Sequence, residues 1–152
     1  SFAGPEDPLL GKAIAAAVKR GIVAVAAAGN GGPDAKPAYP AAFADVIAVT
    51  TTDSGDATFK SANHGSYIAV AAPGVDIISA APNGAYDIAS GTSMAAAHVS
   101  GIAALLLEKN PKLSPAGVRD AIAQSARKEP GRPADELGAG IADAAAAVER
   151  VK

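Results

Sequence analysis

The chain has 152 residues, enough for one compact domain that buries about 70% of its unfolded surface. Its net charge of −2, from 13 Lys and Arg against 15 Asp and Glu, forms no basic stripe and argues against a nucleic-acid partner. It has no cysteine, so neither disulfides nor thiolate metal sites hold the fold. No continuous run approaches the ~20 apolar residues of a membrane span, because Lys12, Lys19 and Arg20 interrupt the first apolar region.

In chain order, Asp7-Pro8 reads as an N-cap with proline at the first helical position, and Ile14 and Val18 continue at helical spacing to Lys19-Arg20-Gly21. Residues 22–28 are a continuous apolar run, the pattern of a buried parallel strand, and it stops at Gly29-Asn30-Gly31-Gly32. A Gly/Pro loop to Tyr39 follows, then strands predicted at 46–50 and 66–71. Residues 77–89 predict a hairpin turning at Asn83-Gly84. Residues 96–108 are apolar on nearly every face, which predicts a helix buried in a protein centre. Ser114-Pro115 starts another helix, with Val118, Ile122 and Ala126 on one face. The charged, proline-rich residues 127–137 read as an exposed loop, and a last helix is predicted at 141–150. Nothing repeats. The order predicts one α/β domain over 1–152, a mostly parallel sheet between helices.

Two stretches carry chemistry. Gly91-Thr92-Ser93-Met94-Ala95 puts the Ser93 hydroxyl at the amino end of the apolar helix, where unpaired N–H groups and the helix dipole favour developing negative charge. An ordinary N-cap is the alternative reading of the same residues. Asn30 projects from the carboxyl end of a strand, the side of an open α/β sheet where ligands bind, and its amide there has the chemistry of an oxyanion donor.

Together, Ala26-Ala27-Ala28-Gly29-Asn30 and Gly91-Thr92-Ser93-Met94-Ala95, in this order, resemble the subtilases, the subtilisin-like serine proteases. The likeness extends to Ser1-Phe2-Ala3-Gly4, which looks like the family's cleft-lining segment, and to the Tyr39-Pro40-Ala41 turn. It continues through Val46–Val49, the Ala72-Pro73-Gly74 segment, the helix after Ser93, and the closing Gly138-Ala139-Gly140-Ile141 with Ala144. The resemblance implies the carboxyl-terminal portion of a three-layer subtilisin-like catalytic domain. It makes Ser93 the nucleophile and Asn30 the oxyanion side chain. Ser1, Phe2, Ala3, Gly4, Ala27, Ala28, Gly29 and Thr92 become the substrate-binding residues, with a peptide or protein as substrate. It implies no cofactor. Where several relatives place an acidic side chain for a weakly bound cation, this chain has Ala69, and its Asp34, Asp53 and Asp56 are too scattered for a calcium loop. It implies an extracellular or cell-envelope location.

The family's triad Asp and His both lie far upstream of the serine, in parts of the pattern that precede Ser1. Two decoys arise here. Asp53-Ser54-Gly55 follows three threonines and reads as a surface turn, and His64 lies in a loop only 29 positions before Ser93. His98 shares the serine's own helix and reads as a packed helix histidine. The expectation is therefore a protease portion holding nucleophile and oxyanion hole without its base, inactive alone, whose partner is the amino-terminal part of the same catalytic domain. A non-catalytic or partner-dependent module is the alternative, associating with a separate piece or with its own copy through an unpaired sheet edge. A nucleotide-binding domain is disfavoured, because no Gly-Lys-Ser/Thr or opening G-x-G-x-x-G follows Gly29.

Overall fold

The structure, a computed structural model, describes residues 1–151. Asp7 caps α1 (Pro8–Lys19) by accepting the Leu9 and Leu10 N–H groups on its carboxylate, and Pro8 needs no partner for an N–H it lacks. The chain then enters β1 (Ala24–Ala27), β2 (Val46–Thr52) and β3 (Val70–Pro73), which form a parallel sheet in the order β1-β2-β3. Every residue of the central strand β2 is buried, as a parallel strand covered on both faces requires. Registers pair Ala26 with Ala48 and Val49 with Val70.

An antiparallel hairpin follows: β4 (Ile77–Ala80), a turn of 3-10 helix at Pro82–Gly84, and β5 (Tyr86–Ala89). Asn83 at the turn is left-handed, with φ 62°, a conformation asparagine tolerates. The hairpin delivers the chain into α2 (Thr92–Lys109), then α3 (Pro115–Ser125), the short α4 (Ala134–Leu137) and α5 (Ala144–Arg150). Helix α3 opens with Ser114 accepting the Gly117 N–H, and it buries Val118 and Ile122.

Three layers result. On one face of the sheet Ile14 of α1, together with Phe43, packs against Ala26, Val46 and Ala48. On the other, Val99, Leu106, Val118, Ile122 and Ala147 from α2, α3 and α5 meet Ile47, Val49, Val70 and Ala72. With so few aromatics, alanine faces let α2 lie close to the strands. The segment 138–141 lines the free edge of β3, through bridges of Gly138 to Val70 and of Ile141 to Ala71.

Several elements depart from the sequence expectation. Strand β3 begins at Val70 rather than 66, because Ile68 N–H closes a turn onto the Gly65 carbonyl at 3.1 Å. The 127–137 stretch is exposed for most of its length, yet it contains α4 and buries Leu137. Its charges are organised: Arg127 pairs with Asp56 at 2.7 Å and with Glu129, and Arg132 bonds Thr58 at 2.9 Å, tying this segment to the β2–β3 connection. The Arg127 guanidinium is held above its ordinary pKa, first by its hydrogen bond to Asp56. The largest correction concerns α2. It is buried on one face only, while Ala97, His98, Ser100, Gly101, Ala104 and Leu105 face outward.

Candidate active site

The end of β1 and the start of α2 meet. Beyond Ala27 the chain is pinned in order: Ala28 N–H donates to the Val49 carbonyl at 2.8 Å, and the Ala28 carbonyl accepts the Tyr67 hydroxyl at 2.7 Å. Gly29 then turns at φ 110°, and its N–H donates to Thr92 Oγ1 at 3.2 Å. Asn30, next in the chain and exposed, turns its side-chain oxygen to the helix start. Oδ1 accepts Thr92 N–H at 3.0 Å and Thr92 Oγ1–H at 3.1 Å. With the oxygen end so engaged, the amide orientation is fixed and Nδ2 is left as a donor with no partner among the described residues.

Helix α2 is positioned by its neighbours as well. Gly91 N–H donates to the Gly74 carbonyl at 2.7 Å, so the Ala72-Pro73-Gly74 segment anchors the turn just before the helix. Gly91 adopts φ 149°, and a Cβ there would lie 3.1 Å from Asn30 Nδ2, so glycine keeps the approach of the two segments open. Ser93 is the second residue of α2 and half-buried. No acceptor among the described residues takes its main-chain N–H, and none hydrogen-bonds its hydroxyl. A hydroxyl, an N–H and a side-chain amide donor, none with a partner among the described residues, are thus assembled around one helix N-terminus, an arrangement with the chemistry to stabilise developing negative charge.

The other residues singled out from sequence are placed as follows. Gly4 pairs in both directions with Tyr39, N–H to carbonyl at 2.9 Å and carbonyl to N–H at 3.0 Å, while Ser1, Phe2 and Ala3 stay exposed. Ala27, Ala28 and Gly29 are buried. Thr92 is fully buried, with its hydroxyl and N–H both engaged by Asn30. Asp53 accepts the Gly55 and Ala57 N–H groups, a surface turn as its sequence implied. His64 lies in an irregular loop. His98 corrects the expectation of a packed histidine: it is exposed, its Nδ1 hydrogen-bonded with the Met94 carbonyl at 3.0 Å. It follows Ser93 by five residues, which puts it about 140° around the helix axis from the serine.

Asn63 was not legible as part of the site. It sits in what reads as a loop around His64, yet it is 3% exposed and its Oδ1 accepts Gly31 N–H at 2.7 Å. Nothing in its local sequence marks it, since the partner lies 32 residues upstream. Among the described residues, no group of three or more His, Cys, Asp or Glu is arranged to hold a metal ion.

Residues 3–140 match the Subtilase family. The chain belongs to the subtilase family of serine proteases. It is 41% identical over 130 residues to "Subtilisin DY" of Bacillus licheniformis, covering 83% of this chain and 47% of the relative. To an "Extracellular protease" of Xanthomonas campestris pv. campestris it is 41% identical over 144 residues, 90% of this chain and 25% of the relative. Among solved structures, a protease from Pseudoalteromonas arctica superposes with a TM-score of 0.91 at 30% identity, over 99% of this chain and 49% of that one. The chain therefore spans half or less of the length of each of these subtilase relatives, and within that span it keeps the family's α/β architecture.

Proposed function

We propose that this chain carries the nucleophile and the oxyanion hole of a subtilisin-type endopeptidase, and that the histidine and aspartate of the triad come from polypeptide outside these 152 residues. The observation that carries the reading is the double hydrogen bond from Thr92 to Asn30 Oδ1, which presents Nδ2 beside the Ser93 helix start. Ser93 Oγ attacks the scissile carbonyl, and the tetrahedral oxyanion receives hydrogen bonds from Asn30 Nδ2 and the Ser93 N–H. The peptide pairs as an added strand against the exposed Ser1–Ala3 segment, with its P1 side chain towards Ala27-Ala28-Gly29.

Neither histidine here serves as base: His98 is about 140° around the serine's own helix from Ser93, and His64 is in a loop with no aspartate partner among the described residues to orient it. The missing groups have a place to arrive. The outward face of α2 lines an open apolar groove of about 830 Å³ with Met94, His98, Gly101 and Leu105, floored by Ala72 and Ile77. Leu105 is 47% exposed there. An apolar face of this size on the serine's own helix, starting at Met94 next to Ser93, fits the base-bearing part of the same catalytic domain.

A second reading is favoured by β1, which forms the outer edge of the sheet, with Ile22 just before it 56% exposed. An unpaired apolar edge recruits strands, so the chain alone would associate with its own copies. Light scattering tests this: oligomers growing with concentration are expected, and a monodisperse monomer counts against it. Placement outside the cell or in its envelope is part of the same proposal, as for the relative named "Extracellular protease". Hydrolysis of a chromogenic peptide by the longer polypeptide tests the catalytic reading. Ser93→Ala should abolish turnover and Asn30→Ala should lower it about 10²–10³-fold. Unchanged turnover in Ser93→Ala would refute it.

A further inference from the structure

We infer that Asn63 is a positioning residue for the oxyanion donor, a role that rests on the reading of Ser93 and Asn30 given above. Asn30 lies in Gly29-Asn30-Gly31-Gly32, a glycine-rich composition with high backbone freedom. Such a loop gives a poor oxyanion donor unless something outside it holds the main chain, because a donor that must be ordered during the reaction loses most of its effect.

Asn63 supplies that hold on both sides of Asn30. Its main-chain N–H donates to the Gly29 carbonyl at 3.0 Å, and its side-chain Oδ1 accepts the Gly31 N–H at 2.7 Å. Its Nδ2 reaches the Lys36 carbonyl at 3.5 Å, joining the far part of the same loop. The contact is close-packed: a Cβ on Gly29 would fall 2.5 Å from Asn63 Nδ2. Thr92 grips the Asn30 side chain and Asn63 brackets its backbone, so the amide is fixed through two independent sets of bonds. The chemistry selects asparagine. One buried group must accept from Gly31 and donate towards Lys36 from two separate atoms, which an ionised aspartate, having no donor, does not do, and glutamine is a methylene longer in the close-packed space against Gly29.

The test is a double-mutant cycle in the longer polypeptide, with rates expressed per titrated active site. Asn63→Ala should lower kcat about 10- to 100-fold with KM within about twofold, since only the transition state uses the positioned donor. Added to Asn30→Ala, the same substitution should lower kcat by less than about twofold more, because the donor it positions is already gone. A full additional loss in the double variant would overturn the positioning role while leaving Asn30 as oxyanion donor. A neutral Asn30→Ala would overturn both. Should the Asn63→Ala protein fail to accumulate, hydrogen exchange on the unmutated chain decides. The Gly31 amide is expected to exchange at least ~100-fold more slowly than an unstructured amide, and exchange at the unstructured rate would contradict the bond to Asn63.

Discussion

Thr92 and Asn30, 62 positions apart in the chain, are joined by two hydrogen bonds to one oxygen, from the threonine N–H at 3.0 Å and from its hydroxyl at 3.1 Å. The same hydroxyl accepts the Gly29 N–H at 3.2 Å, so one buried side chain fixes the end of a strand and the start of a helix together. Thr92→Val keeps the shape and the main-chain bond but removes the hydroxyl, stranding the buried Gly29 N–H. The expected loss of stability is about 1–3 kcal/mol by denaturant unfolding. Turnover in the longer polypeptide should fall about tenfold, the worth of a single net hydrogen bond at the donor. Unchanged values for both would show that this contact does not hold Asn30.

The central strand makes a contrasting case. The hydroxyls of Thr50 and Thr52 are buried and have no partner among the described residues. Thr50→Val replaces such a hydroxyl with a methyl group of nearly the same volume, and should leave stability unchanged or raise it by about 1–2 kcal/mol. A loss of more than about 1 kcal/mol in denaturant unfolding would mean that the hydroxyl is satisfied in solution.

Asp7 caps α1 through one carboxylate oxygen that accepts both Leu9 and Leu10 N–H. Asp7→Ala should cost about 0.5–2 kcal/mol, read as a lower Tm, and Asp7→Ser should recover most of it. Equal melting of Asp7→Ala and the unmutated chain would show that the cap is replaced by water at no cost.

Leu105 distinguishes the chain alone from the chain in its proposed setting. In the 152-residue protein the side chain is half in water, so Leu105→Glu should shift stability by no more than about 0.5 kcal/mol. If the base-bearing polypeptide covers that face, the same substitution buries an unpaired carboxylate, and should cost several kcal/mol and most of the activity in the longer protein. Equal tolerance in both would remove the groove as the docking surface.

Much of this was readable from local chemistry. Asp7-Pro8 and Ser114-Pro115 mark helix starts that the structure keeps, and Asn83-Gly84 marks the hairpin turn, because caps and turns are decided by residues within a few positions of one another. The Gly/Asn end of β1 and the serine at the head of α2 were visible for the same reason. Less was readable where distant contacts decide. In α2 alanine suits both a covered and an open face, so Ala97 and Ala104 gave no sign that they would face outward. Asn63 is set by a glycine amide from another strand's loop, a partner that no spacing rule connects to it. Strand β3 starts late because the Ile68 N–H is used in a turn onto the Gly65 carbonyl, and the Tyr67 hydroxyl in that turn finds its partner in the distant Ala28 carbonyl.

The most direct measurement is labelling with a fluorophosphonate, which reports an activated serine without any choice of substrate. Ser93 should be labelled rapidly in the longer polypeptide that brings the histidine, not at all in Ser93→Ala, and at no more than a residual rate in the 152-residue chain. Rapid labelling of the short chain by itself, or labelling that survives Ser93→Ala, would contradict the division of the catalytic groups proposed here.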